Sequence, residues 1–176
     1  MPSASLDWLA LETHICGRMV DEVRTYRQRH PEQHVYAAAF HVFYGETGGV
    51  IYWPALSVGT EAGLIEASAG SSFSPDDLRW SPADWPVMVD PSADDEAWAA
   101  RVQQAAVGGG DEEWEAVCDR FLRTFALAAK DARRMLISSD VVDETFLALA
   151  IDEEWQLIPL SLTPEQLHAH FPELAP

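Results

Sequence analysis

Positive charge is scarce in this sequence. Its 176 residues carry 11 lysines and arginines against 29 aspartates and glutamates, a net charge of −18, with Lys130 the single lysine. A surface of that sign repels the phosphate backbone it would have to neutralise, which argues against nucleic-acid binding. It would attract a basic protein partner, although the plainer use of such charge is solubility. Cysteine is scarce too. Cys16 and Cys118 fall in two separate predicted helices without paired spacing, unlike a disulfide scaffold. No apolar stretch approaches the roughly 18 residues of a membrane span. The chain does not open with a basic segment followed by an apolar run, so no signal peptide is visible. The expectation is a cytoplasmic protein with reduced thiols and no nucleic-acid or membrane partner.

Catalytic signatures are missing as well. There is no GxSxG elbow, no Gly-rich phosphate loop ahead of a lysine and no dinucleotide fingerprint. His168 and His170 are two apart on a predicted helix and so face different directions, whereas helical zinc ligands sit three or four apart. His30 and His34 straddle Pro31, and His41 lies inside an apolar strand, where a satisfied core histidine is the plainer reading. No metal, no cofactor and no catalytic residue is therefore assigned. With so many acids, any carboxylate pair would be easy to find and would carry little meaning. Lys130, close to Arg133 and Arg134, reads as a solvated or dipole-complementing charge.

What is present is organised around residues 34–58. From 35 to 44 the residues are apolar on both alternating faces, the mark of a strand buried on both sides of a sheet. Residues 50–58 answer it across Gly45-Glu46-Thr47-Gly48-Gly49, predicting an antiparallel hairpin, with Pro54 implying an edge strand or a bulge. A helix is predicted over 6–29, with Leu6, Leu9, Cys16, Met19, Val20 and Val23 on one stripe and Ser3 or Ser5 as its cap. A short helix follows Thr60. Ser74-Pro75-Asp76-Asp77, Ser81-Pro82-Ala83-Asp84 and Thr163-Pro164-Glu165-Gln166 each carry the chemistry of a helix start. Further helices are predicted over 95–107, 111–136 and 163–171, and strands over 146–151 and 155–162. The order describes one α+β domain spanning residues 1–176: an antiparallel sheet of about four strands, with a long N-terminal helix and a long central helix packed on it.

One box stands out, Arg79-Trp80-Ser81-Pro82-Ala83-Asp84-Trp85, with Trp53 on the nearby strand. Its rings either anchor a loop to the sheet, the plainer reading, or form an exposed hot spot. The strand YAAAFHVFYG, the stretch Ser57-Val58-Gly59-Thr60-Glu61-Ala62-Gly63 and this box together resemble the bacterial domain-of-unknown-function family 4303. Ala62 and Asp84 depart from the glutamates of the family pattern. The resemblance covers most of the chain in element order and brings no known activity, cofactor or catalytic residue.

Small acidic α+β proteins of this general kind often stand beside bacterial toxins as immunity proteins. The leading expectation is accordingly a protein-binding module, of immunity type, that blocks a basic partner. The acidic clusters at 94–96, 111–113 and 152–154 would steer that partner, and Trp80 and Trp85 would anchor it. The rival is a small-ligand binder or enzyme with a cleft beside the 80–85 loop, lined by His41, Glu61 and Asp84. A third option is a homodimer formed through the edge strand around Trp53 and Leu56.

Overall fold

The computed structural model describes residues 6–175. A four-stranded mixed sheet lies between two layers of helices, in an α+β fold. Its strand order is β3-β2-β1-β4, formed by β1 (Val35–His41), β2 (Ala55–Thr60), β3 (Val87–Val89) and β4 (Leu147–Ile151). The first three strands pair antiparallel, and β4 runs parallel to β1. As its unbroken apolar run predicts, β1 is buried along its whole length in the middle of the sheet.

The two faces of the sheet are covered differently. Val35, Ala38 and Phe40 of β1, with Leu56 and Val58 of β2, face α1 (Trp8–Arg29), α4 (Ala93–Ala106) and α5 (Asp111–Ser138). Phe125 of α5 is the hub of this core, in edge-on contact with Phe40, Phe43, Trp53 and Phe121. Tyr36, Ala37 and Ala39, with Leu147, Leu149 and Ile151, face a layer of short pieces. These are α2 (Glu61–Ala69), α3 (Pro75–Leu78), α6 (Ile158–Ser161) and α7 (Pro164–His170). Both long helices form, and their apolar stripes are the reason.

Several local expectations change. The first helix is capped by Asp7, whose side chain accepts from the Ala10 N–H; Ser3 and Ser5 lie outside the described residues. Leu9, placed on the core stripe from sequence, is exposed. The buried row is Leu11, Ile15, Met19 and Val23, and Leu9 stands two residues, about 200°, off it. The link between β1 and β2 is a loop from Val42 to Pro54, not a tight turn, and β2 starts after Pro54. Nor is β2 an edge: from Leu56 to Val58 it pairs with β3, while Trp53 lies in the loop before the strand.

The segment expected as a strand over 155–162 is a turn followed by α6. Pro159 sits in the first turn of α6, Trp155 takes a left-handed φ of 59°, and Asp152 Oδ1 accepts the Leu157 N–H. This segment closes the sheet at β4. There the Ala150 N–H donates to Ser161 Oγ at 3.0 Å, and the Ser161 hydroxyl donates on to the Leu157 carbonyl. The opposite edge, β3, is three residues long between Pro86 and Pro91.

Candidate functional site

The residues singled out from the sequence fall into three separate places. Trp80, Trp85 and Glu61 belong to the short-helix face. Trp85 is buried there with its indole N–H donating to the Leu78 carbonyl at 3.2 Å, and both tryptophan rings meet Tyr36 edge-on. Trp80 also packs on Phe171. Arg79 grips Glu61 in a two-point ion pair, at 2.9 and 3.0 Å, while its guanidinium lies over the Tyr36 ring. That pair holds the Glu61 carboxyl below its ordinary value. Gly59 belongs to the same packing: a Cβ there would stand 2.8 Å from the Tyr36 ring. The box is therefore an anchor between loop and sheet, built from aromatic edges and one guanidinium. Asp84 lies outside it, exposed, where it accepts the Ser81 hydroxyl.

His41 and Trp53 are elsewhere. His41 ends β1, buried, its Nε2 2.8 Å from Ser57 Oγ, and burial pushes its pKa down to about 4. Thr60, next to Glu61, pairs with Val35 at the other end of β1, so His41 and Glu61 are separated by about six strand residues, ~20 Å. These two side chains do not line one cleft. Trp53 sits on the opposite face, in the core against Phe125.

The sequence signal that was missed lies at the end of the sheet where β1 and β4 finish. Parallel pairing sets Ile151 beside His41, so Val42 and Asp152 leave the sheet at the same end. The 42–54 loop is fastened there to α4 and α5 by its backbone. The Gly49 carbonyl accepts both the Trp114 indole N–H and the Gln103 amide, each at 3.1 Å, and the Ile51 N–H donates to Gln103 Oε1. Ile51 and Trp53 turn into the core, but four of its apolar side chains are left outside: Val42 is 60% exposed, Tyr44 58%, Val50 54% and Tyr52 54%. The Tyr44 and Tyr52 rings lie 6.3 Å apart. Val42 also adopts a left-handed φ of 62°, an uncommon conformation for a β-branched residue.

Acids stand at the same end of the sheet. Glu46 accepts the Tyr44 hydroxyl at 3.1 Å, and Glu115 accepts the Thr47 hydroxyl at 3.1 Å. Asp111, Glu112 and Glu113 fill the first turn of α5, all exposed, and Glu153 and Glu154 are exposed just past β4. Two of the three acidic clusters thus emerge at one end of the sheet with the exposed aromatics.

The third cluster behaves otherwise. Asp95 is fully buried, with His14 Nε2 at 2.7 Å and Arg18 Nε at 2.9 Å, and it accepts the Ser92 N–H at 2.8 Å. Burial opposes its ionisation, but these donors outweigh burial and hold its carboxyl below the ordinary value. Among the described residues, no three histidine, cysteine or acidic side chains converge as a metal site would require. No described helix is long and apolar enough to cross a membrane. Burial pushes both thiols up, away from reactivity.

No protein-family model, curated protein or solved structure matches this chain.

Proposed function

We propose that this chain is a protein-binding module whose docking surface is the end of the sheet formed by the 42–54 loop, the start of α5 and the turn after β4. The partner carries a basic rim around an apolar centre. One observation carries the proposal: four apolar side chains, Val42, Tyr44, Val50 and Tyr52, stand more than half exposed at the end of the sheet where two clusters of exposed carboxylates emerge. Exposed apolar patches rimmed by polar groups are features of binding surfaces, and tyrosines supply contact area at small entropic cost. The carboxylates would raise the encounter rate with a cationic surface and repel competitors of like charge. The finer form of the proposal is an immunity-type inhibitor that covers a basic toxin in the cytoplasm. It does not depend on the family 4303 resemblance.

The test is a capture experiment from the native host at low salt, comparing the wild-type chain with Tyr44→Asp/Tyr52→Asp. Support is a stoichiometric protein retained by the wild type, lost with the double variant and released as salt rises. No stoichiometric protein, or equal capture by the double variant, would sink the proposal.

A further inference from the structure

A second site lies on the other side of α5, away from the acidic end. There α5 and the junction of α6 with α7 enclose a cleft of about 480 Å³, within the range of small-molecule sites. Its walls are apolar in part. Leu127 of α5 stands half exposed in it, opposite Leu162 and Pro164. Its polar groups are unusual for this molecule, because Lys130, Arg133 and Arg134 all line it, three of the chain's eleven cations.

Their partners differ. Arg134 is paired with Asp131. Arg133 donates to the carbonyls of Phe146 and Glu144, and the Glu144 carboxylate, outside the cleft lining, partly offsets its charge. Lys130 has neither an ion-pair nor a hydrogen-bond partner among the described residues. Glu12 is the one remaining acid on the lining. With Arg134 paired to Asp131 and Arg133 partly offset by Glu144, Lys130 is the cation of this lining that no described side chain engages. Gln166 adds a donor: its Oε1 is taken by the Thr163 N–H in the cap of α7, which leaves its amide N–H groups unused. The chain's overall −18 does not cancel this, because charges beyond about 8 Å are largely screened at physiological salt.

We propose that this cleft binds a small monocarboxylate with an aliphatic tail. The carboxylate takes the Lys130 ammonium and the Gln166 amide as donors, and the tail lies along Leu127, Leu162 and Pro164. A cation is disfavoured by Lys130, and a bare inorganic anion would gain nothing from the apolar walls. The site is independent of the docking surface.

The experiment is an amide NMR titration of the full chain with octanoate, octanol and octylamine in turn. Octanoate is expected to give saturable shifts at Leu127, Lys130, Leu162 and Gln166. Octanol is expected to bind about tenfold more weakly, the worth of one charge-assisted hydrogen bond, and octylamine not at all. Lys130→Gln is expected to reduce octanoate to the octanol level. Absence of saturable shifts with octanoate, or octanol binding as tightly as octanoate to the wild type, overturns the proposal whatever the variant does. Unchanged octanoate binding in a folded Lys130→Gln protein overturns the assignment of the carboxylate.

Discussion

Two stretches of this molecule look alike in sequence and behave oppositely. Asp94-Asp95-Glu96 and Asp111-Glu112-Glu113 are both triple acids in the first turn of a helix, where the dipole favours negative charge. In the second, all three side chains point to water. In the first, Asp95 is buried and bound by His14, Arg18 and the Ser92 backbone. The difference does not lie in the triplet. It lies in two residues about eighty positions earlier on α1, which supply the donors that make burial tolerable. A run of acids is thus a solvated face or a structural lock depending on what packs over it.

The strongest way to break this contrast is Asp95→Ala. It removes one half of the Ser92–Asp95 capping box and takes from His14 and Arg18 their shared buried acceptor, leaving Arg18 only Glu22, and it is expected to destabilise the fold by about 3 kcal/mol in urea unfolding. A loss below about 1 kcal/mol would place Asp95 with the solvated acids.

A second measurement separates the lock from a buried histidine. His41 has its pKa pushed down to about 4 from 6.5 in the folded state. The unfolded chain therefore takes up this proton first, and stability falls as pH drops from about 6.5 towards 4, by up to about 3 kcal/mol. Asp95, with its pKa lowered, keeps its contribution through that window and loses it only at lower pH. Urea unfolding at several pH values should show a steeper upper slope in the wild type than in His41→Gln, where the share of His170, also held down by burial, remains; equal slopes would show that His41 does not cause it.

The smallest effect on stability is expected at the other triplet. Glu112→Gln/Glu113→Gln should alter it by no more than about 0.5 kcal/mol, yet flatten the salt dependence of partner capture. Unchanged salt dependence would remove these acids from the docking surface.

Much of the fold was legible in the sequence because its signals are local. The capping boxes at Ser74 and Thr163 form as written, and the all-apolar run of β1 correctly demanded two covered faces. Other features were decided by distant contacts. Val87-Met88-Val89 is too short to announce a strand and exists because β2 offers it Leu56 and Val58. Leu157 to Leu162 has the composition of a strand, but Asp152 accepts the Leu157 N–H and the Ser161 hydroxyl donates to the Leu157 carbonyl, and the segment folds into a turn and a helix instead. The docking surface was hidden for a related reason. Val42, Tyr44, Val50 and Tyr52 read as strand residues, and only the hold of Gln103 and Trp114 on the loop backbone turns them outward. The aromatic box was visible, but whether Trp85 faced core or solvent depended on Leu78 and Tyr36.

The Ser161 hydroxyl against Ala150 has a consequence for anyone shortening this protein. A chain ending before α6 would keep most of its large core yet bare the β4 edge, Leu-Ala-Leu-Ala-Ile, with an unsatisfied row of backbone donors and acceptors. Uncharged, free of proline and rich in residues that stack, such an edge is a template for fibril growth. The segment from α6 onward acts as the stopper that keeps one copy of this sheet from being extended by the next.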